Sequence, residues 1–479
     1  MTDVINHFIA GKWRSDAAGE RRAVVNPATD EQVASIACAT ADDVEQVTAA
    51  VQRAHPAWAA ARPDRRAEVL RAIAGAVADN RDRIAAAVTR DNGKPIGEAR
   101  DEIDGVVRVF GFFAEVAANM AGPATDRQGG IDRHVVAVPV GPVLIIGTWN
   151  FPVETIAVHL APSLAAGCAS IAIPNAITPS GPVEFFRALE GVGLPDGLVN
   201  LLVGNAAQCS EALIASPVMR HVSYTGSTEV GSVLAQQAAR EIKRCTLELG
   251  GNAAAIVLPG TAVAAAVQAI GGKRYWNAGQ VCTAPNRIYV PRGIYDEFID
   301  ELVGLASAIT VGDGTDGGTN MGPLVSHQRI DHMRTITDDA LERRADLLLG
   351  GRAPDRPGSF WPPTVIGNIG DDALGMQREI FGPIACVSPY DTVDEAIARA
   401  NDSDLGLSAY VYGPGDEEAM RVGERLEAGA VGINQMVVAF MDAPFGGIKK
   451  SGLGFVGGPD AVTEYLRPRL LASRQRPAA

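Results

Sequence analysis

"VVAVPVGPVLIIG" (135–147), "ETIAVHLAPSLAAG" (154–167) and "CASIAIP" (168–174) follow one another closely in the chain. The outer two are apolar runs bounded by Gly and Pro, whereas the middle one is long enough for a helix. A run that is apolar at every position, not every second one, suits a strand covered on both faces. The same grammar continues downstream. "LVNLLVG" (198–204) and "HVSYTG" (221–226) read as buried strands, and "PVEFFRALEGVG" (182–193), "SEALIASP" (210–217) and "TEVGSVLAQQAAREI" (228–242) as the helices between them. A second series has strands at "AAAIVLP" (253–259), "RIYVP" (287–291), "ACVSPY" (385–390) and "SAYVYG" (408–413), with helices near 262–279 and 294–308. Strands alternating with helices predict an α/β fold of mostly parallel sheets in two lobes. Upstream, helices are expected over 41–62, 66–90 and 96–120. Val44, Val47, Val51 and Ala54 recur at helical steps, and Thr40 with Asp43 fits a capping box.

The totals narrow the function. A chain of 479 residues has a prior of about three structural units. Its 47% hydrophobic and 20% charged residues read as globular. A net charge of −14 opposes nonspecific binding to nucleic acid or anionic membrane. The N-terminus "MTDVINHFIAGKW" lacks the marks of a signal peptide, and no uncharged apolar stretch reaches the roughly 18 residues of a membrane span. Six cysteines without a C-x-x-C pair suggest reduced thiols and a cytoplasmic protein. The seven histidines show no metal-ligand spacing, so no metal site is expected. His327 and His332 are expected to be exposed, and His159 to pack inside a helix.

Five stretches carry chemistry. Cys282, in "NAGQVC" (277–282), has a polar, Gly-containing setting suited to a nucleophile, although a lone thiol is more commonly apolar filler. Glu248, in "TLELGGN" (246–252), sits between leucines at a strand end. Burial there would raise its pKa and suit it to activating water, whereas a salt bridge would make it structural. Asn150, in "TWNFP" (148–152), follows a strand and can donate to an oxyanion or simply form a turn. "YTGSTEVG" (224–231) places a helix N-terminus after a strand, where free N–H groups can face a pyrophosphate. "REIFGP" (378–383) sets Glu379 and Phe381 before a Gly-Pro break, where a carboxylate can hold ribose hydroxyls and a ring can pack a nicotinamide.

These stretches, in this order, resemble the NAD(P)-dependent aldehyde dehydrogenase superfamily. The likeness runs over essentially the whole chain and extends to "DNGKP" (91–95), "MGPLVS" (321–326) and "PFGGIKKSGLG" (444–454), the last similar to the semialdehyde and aminoaldehyde branch. The resemblance implies a Rossmann-like dinucleotide-binding domain over 1–120 and 140–247 and a catalytic domain over 248–446. It also implies a bridging element, 121–139 with 461–479, that builds a homodimer or homotetramer. It implies that Cys282 attacks the aldehyde, that Asn150 holds the oxyanion, and that Glu248 activates the water that hydrolyses a thioester. The presence of Glu248 favours a free acid over transfer to coenzyme A. NAD or NADP would be held by Ile146, Gly147, Thr148 and Trp149 after one strand, by Gly204 after another, and by Tyr224, Thr225, Gly226 and Ser227 after a third. Leu249, Gly250, Glu379 and Phe381 would complete that site.

Two departures matter. The family's K-P-S-E-x-T-P stretch reads "IPNAITP" (173–179) here, so Ile173 and Ala176 replace the Lys and Glu that grip the adenosine ribose or a 2′-phosphate. That removes the usual clue to NAD against NADP and keeps a non-redox (thio)esterase, or a binding paralogue, as alternatives. Secondly, Trp276 and the pair Val158 and His159 stand where semialdehyde enzymes place carboxylate-binding arginines. The expected substrate is therefore a neutral, apolar or aromatic aldehyde, with Trp276 and Phe440 lining its pocket. Asp442 would instead favour an amino group.

Overall fold

The computed structural model describes residues 3–14, 19–120, 122, 124–128 and 130–474. Five segments form the centre of one parallel sheet: β1 (Val143–Ile146), β2 (Ser170–Ile173), β3 (Val199–Leu201), β4 (His221–Thr225) and β5 (Arg244–Glu248). Their order is 3-2-1-4-5. Every residue of β1 and β2 is buried, as continuous apolar runs require when helices cover both faces. Phe8–Ile9 and Lys12–Trp13 extend the sheet beyond β3, and Gly452–Leu453 pairs antiparallel with β5. The helices that position the site here are α1 (Ile96–Ala118), α2 (Glu154–Ala166) and α3 (Thr228–Arg240). Strand order reverses between β1 and β4, and loops at such a switch point open a crevice at the strands' carboxyl ends.

A second core surrounds the sheet of β6 (Ala254–Val257), β7 (Arg287–Pro291), β8 (Asp346–Leu349), β9 (Thr364–Gly367), β10 (Ile384–Tyr390), β11 (Ser408–Tyr412) and β12 (Ala430–Ile433). Its order is 8-9-10-7-6-11-12, and β8 alone runs antiparallel. Helices α4 (Val263–Tyr275) and α5 (His327–Glu342) belong to this lobe. Only residues 249–253 separate β5 from β6. The carboxyl edge of the first sheet thus faces the amino edge of the second, where the loops entering β6, β7 and β10 gather.

Three expectations change. The run 135–147 is not one buried strand. Gly141 (φ 130°) and Pro142 break it, and Ile131–Pro139 leaves the core to pair with Ala124–Gln128 and Leu466–Arg474 in a separate antiparallel sheet. That sheet takes in most of the described part of the expected bridging element, while 461–465 lie in the 3-10 helix Pro459–Tyr465; residues 121, 123, 129 and 475–479 lie outside the described residues. The helix expected over 66–90 is two, Pro63–Asp79 and Arg81–Asn92, separated at Asn80. The helix expected over 262–279 ends at Tyr275, because Asn277, Ala278 and Gly279 all adopt positive φ. The capping box at Thr40 and Asp43 forms as expected.

One buried ion pair braces the loop after β1. The Lys94 ammonium donates to Glu102 Oε2 at 2.8 Å and to the Asn150 carbonyl at 2.7 Å, with both charged side chains fully buried. Glu102 Oε1 in turn accepts the amides of Val153 and Glu154, the opening turn of α2. Removing one partner strands a buried charge, so Glu102→Ala should cost about 3–5 kcal/mol. The double variant Lys94→Met/Glu102→Leu should lose less than the single one. Urea unfolding followed by tryptophan fluorescence checks both.

Candidate active site

The facing edges enclose a cavity of about 1300 Å³. From the first lobe, Thr148, Trp149 and Asn150 reach it after β1, Thr225, Gly226 and Ser227 after β4, and Glu248, Leu249 and Gly250 at the end of β5. From the second, Cys282 precedes β7, Glu379 and Phe381 precede β10, and Trp276 and Phe440 also line it. Among the residues singled out in the sequence, Ile146, Gly147, Gly204 and Tyr224 do not line the cavity. Gly147 closes β1 by donating to the Ile173 carbonyl at 2.9 Å. Gly204 packs on Cys38 behind the sheet. Tyr224 is buried with its hydroxyl under Gly226, where a Cβ would fall 2.0 Å from that oxygen. Asp442 is exposed and off the wall.

Cys282 is delivered by the turn that ends α4. Asn277 (φ 48°) and Ala278 (φ 52°) are left-handed, a conformation costing about 1–2 kcal/mol for a non-glycine residue. Hydrogen bonds hold it in place. The Asn277 side chain donates to the Asn150 carbonyl at 3.1 Å, and buried Arg274 donates to the carbonyls of Gly279 (2.8 Å) and Gly382 (2.7 Å). Gly251 passes so close that a Cβ there would lie 2.4 Å from the Cys282 carbonyl oxygen. Cys282 is half-buried with its open side on the cavity. Burial pushes its thiol up to about 12, helped by the negative charges of Glu379 and Glu248 and opposed by the Lys273 ammonium.

Asn150 is buried, and its amide donates to the Gln280 carbonyl at 3.0 Å, two residues before Cys282. Glu248 is buried with neither carboxyl oxygen hydrogen-bonded in the protein. Burial, then Glu464, holds its pKa well above the usual carboxylate range. A carboxyl group held this way is not a salt-bridge partner; it is free to exchange a proton with something in the cavity.

The donor set fits a nicotinamide dinucleotide at one end. Ser227 caps α3, accepting the Val230 amide at 3.3 Å, so that helix's N-terminus opens on the cavity. Glu379 is oriented by the Gly251 amide at 2.9 Å, and the rings of Trp149 and Phe381 meet edge-on at 5.1 Å. Of the two residues expected at the adenosine end, Ile173 is fully buried and Ala176 packs on the core, and neither lines the cavity. Neither offers a polar atom.

Among the cavity residues that the sequence reading did not place there, three titrate close to the catalytic candidates or the cofactor residues. His332, expected exposed, is half-buried on the wall, its imidazole pKa lowered first by burial. Glu154, in the first turn of α2, and Lys273, in the last turn of α4, line the far end. A basic residue in a helix's last turn ordinarily complements the dipole. The signal that could have exposed Lys273 is its three-residue step to Trp276, which sets both on one side of the chain. Of the positions expected to lack arginine, Val158 lines the cavity. His159 is buried behind it, 2.9 Å from Thr225 Oγ1 and 3.3 Å from the Tyr465 hydroxyl.

A family model described as "Aldehyde dehydrogenase family" matches residues 13–471. Succinate-semialdehyde dehydrogenase (NADP(+)) GabD of Escherichia coli strain K12 is 36% identical over 460 residues, 96% of this chain and 95% of that protein. The 3-sulfolactaldehyde dehydrogenase of Pseudomonas putida is 35% identical over the same shares. A solved structure of betaine aldehyde dehydrogenase from Staphylococcus aureus in complex with NAD+ superposes with a TM-score of 0.95 at 32% identity, over 99% of this chain and 95% of that one.

With the Cys282 thiol near 12 in the ligand-free protein, its thiolate fraction is small at neutral pH and grows as pH rises. Alkylation of Cys282 by iodoacetamide, followed by peptide mass spectrometry, should therefore be slower at pH 7.5 than that of a free cysteine peptide. It should still be accelerating at pH 10, where the peptide's rate has levelled.

Proposed function

The chain belongs to the aldehyde dehydrogenase family and oxidises aldehydes with NAD(P), and we propose that it does so by covalent catalysis on Cys282, releasing a free acid. The observation that carries this reading is the convergence on one cavity of a thiol, a side-chain amide and a buried carboxyl group without hydrogen bonds. Cys282 Sγ adds to the aldehyde carbon as its proton passes to a base, for which the adjacent Glu248 carboxylate is suited. The Asn150 amide and the Cys282 backbone N–H stabilise the oxyanion of the resulting thiohemiacetal. Ser227, Glu379, Trp149 and Phe381 would hold a nicotinamide dinucleotide, which would supply the acceptor for the hydride on that carbon, and loss of that hydride leaves a thioester on Cys282. Glu248, having released that proton to solvent, then takes one from the water that attacks the thioester; the C–S bond breaks, the acid departs and the Cys282 thiolate is reprotonated.

The pocket wall supports an aldehyde with an apolar or aromatic body. Phe151 and Trp276 pack at 5.1 Å between ring centres, and Phe440, 41% exposed, sits at the mouth. With Ile173 and Ala176 silent, adenosine recognition falls to backbone and apolar contacts, which gives little preference between NAD and NADP. One relative is named for NADP+ and one neighbour is complexed with NAD+. Exposed Val135, Leu470 and Leu471 on the three-stranded sheet support its use in a homodimer or homotetramer.

Cys282→Ala should abolish reduced nicotinamide formation from any aldehyde. Asn150→Ala should lower kcat about 10²–10³-fold. Glu248→Gln should keep thiol alkylation but stall turnover, trapping an acylated Cys282 visible by intact-protein mass spectrometry. Ester cleavage by the wild type with no reduced nicotinamide from an aldehyde panel would overturn the redox reading. Calorimetric titration should give dissociation constants for NAD and NADP within about tenfold of each other.

A further inference from the structure

Beyond the Cys282 chemistry, one charge in the cavity has no assigned use. Lys273 lies nine residues before Cys282, on the turn of α4 that leads into the Cys282 loop, and lines the same cavity. Its ammonium stands 4.5 Å from the centre of the Trp276 ring. Among the described residues it makes no hydrogen bond and no ion pair within 4 Å, so its N–H donors are open. Glu154 acts on it electrostatically and also lines the wall, but beyond ion-pair distance. Burial draws the ammonium down to about 8, opposed by Cys282 and Glu154, and Glu154 is raised to about 7, first by burial and then by Glu102. An ammonium placed over an aromatic face keeps its charge in a poorly hydrated site, and donors left open there await an acceptor. By contrast, Lys94 over Phe151, 3.9 Å from its centre, is fully committed to Glu102 and Asn150.

We propose that Lys273 is a specificity-determining residue, and that the substrate is an aldehyde with an aromatic or apolar body whose far end carries a carboxylate or sulfonate. The body lies along Trp276 and Phe151, the aldehyde faces Cys282, and the acid group accepts from Lys273 Nζ. This amends the neutral substrate expected from the missing arginines: the cation enters from the preceding turn instead of from position 276. Glu154 limits the preference by competing for the same ammonium. The inference rests on the Cys282 reading for the placement of the aldehyde.

The test compares benzaldehyde with 3- and 4-carboxybenzaldehyde in steady-state assays of reduced nicotinamide. The wild type should favour at least one carboxylated aldehyde by roughly 10- to 100-fold in kcat/KM, mostly through KM, as a charge-assisted hydrogen bond would provide. In Lys273→Met that ratio should collapse toward one, in Lys273→Arg it should largely survive, and in Glu154→Gln it should rise. A ratio unchanged in Lys273→Met, or no carboxylate preference in the wild type, overturns the proposal. Binding of isophthalate and terephthalate against benzoate, by calorimetry on the wild type, needs neither turnover nor a folded variant. Tighter binding of a dicarboxylate supports the proposal even if no aldehyde is oxidised, a result that would sink only the redox reading. Equal binding overturns the proposal while leaving that reading intact.

Discussion

The carbonyl of Asn150 is where the two lobes are fastened. It accepts from Lys94 of the first lobe and from the Asn277 side chain of the second, while the Asn150 amide reaches across to the Gln280 carbonyl. These bonds are buried, where leaving a donor or acceptor unmade costs most. They fix the relation between the loop that follows β1 and the turn that delivers Cys282. Glu248 sits at the end of β5, beyond β4 from β1 in the same sheet.

The site's electrostatics are dominated by desolvation. Glu248, Glu379 and Glu154 are all shifted toward the protonated form, and the thiol toward the neutral one. A cavity lined by acids whose charges are held back does not repel an anionic visitor as their number would suggest, and it leaves Lys273 as a cation of consequence on its wall. Positioning and chemistry are divided between different groups. Lys94, Glu102 and Arg274 spend their hydrogen bonds on carbonyls, amides and each other, while Glu248 and Lys273 spend none on the protein.

Much of the fold was legible because parallel strands covered on both faces leave unbroken apolar runs, as in β1 and β2. The same rule misled at 135–139, where an apolar run says nothing about whether its residues face a core or an outlying sheet. The two-residue strands near the N-terminus are too short to carry any periodicity. In the site, Cys282, Glu248 and Asn150 were each ambiguous alone and stood out only through the ordered set of motifs that hold them. Lys273 and His332 did not, since a lysine closing a helix and a histidine on a polar helix are ordinary. Their meaning lies in what stands opposite, and α5 meets the cavity only through the tertiary packing of the second lobe. The left-handed turn at 277–279 was hidden for a related reason: Ala278 has no local preference for positive φ, and the bonds that impose it come from residues distant in sequence.

Residues 249–253 join the last strand of one sheet to the first of the other, so Glu248 and the Cys282 loop ride on different bodies. Any slippage between those bodies changes the gap between carboxyl and thiol while both sheets remain whole. Warming the protein should then silence it before it melts: loss of function would track the loosening of a few bonds around one carbonyl, well below the temperature at which either core comes apart.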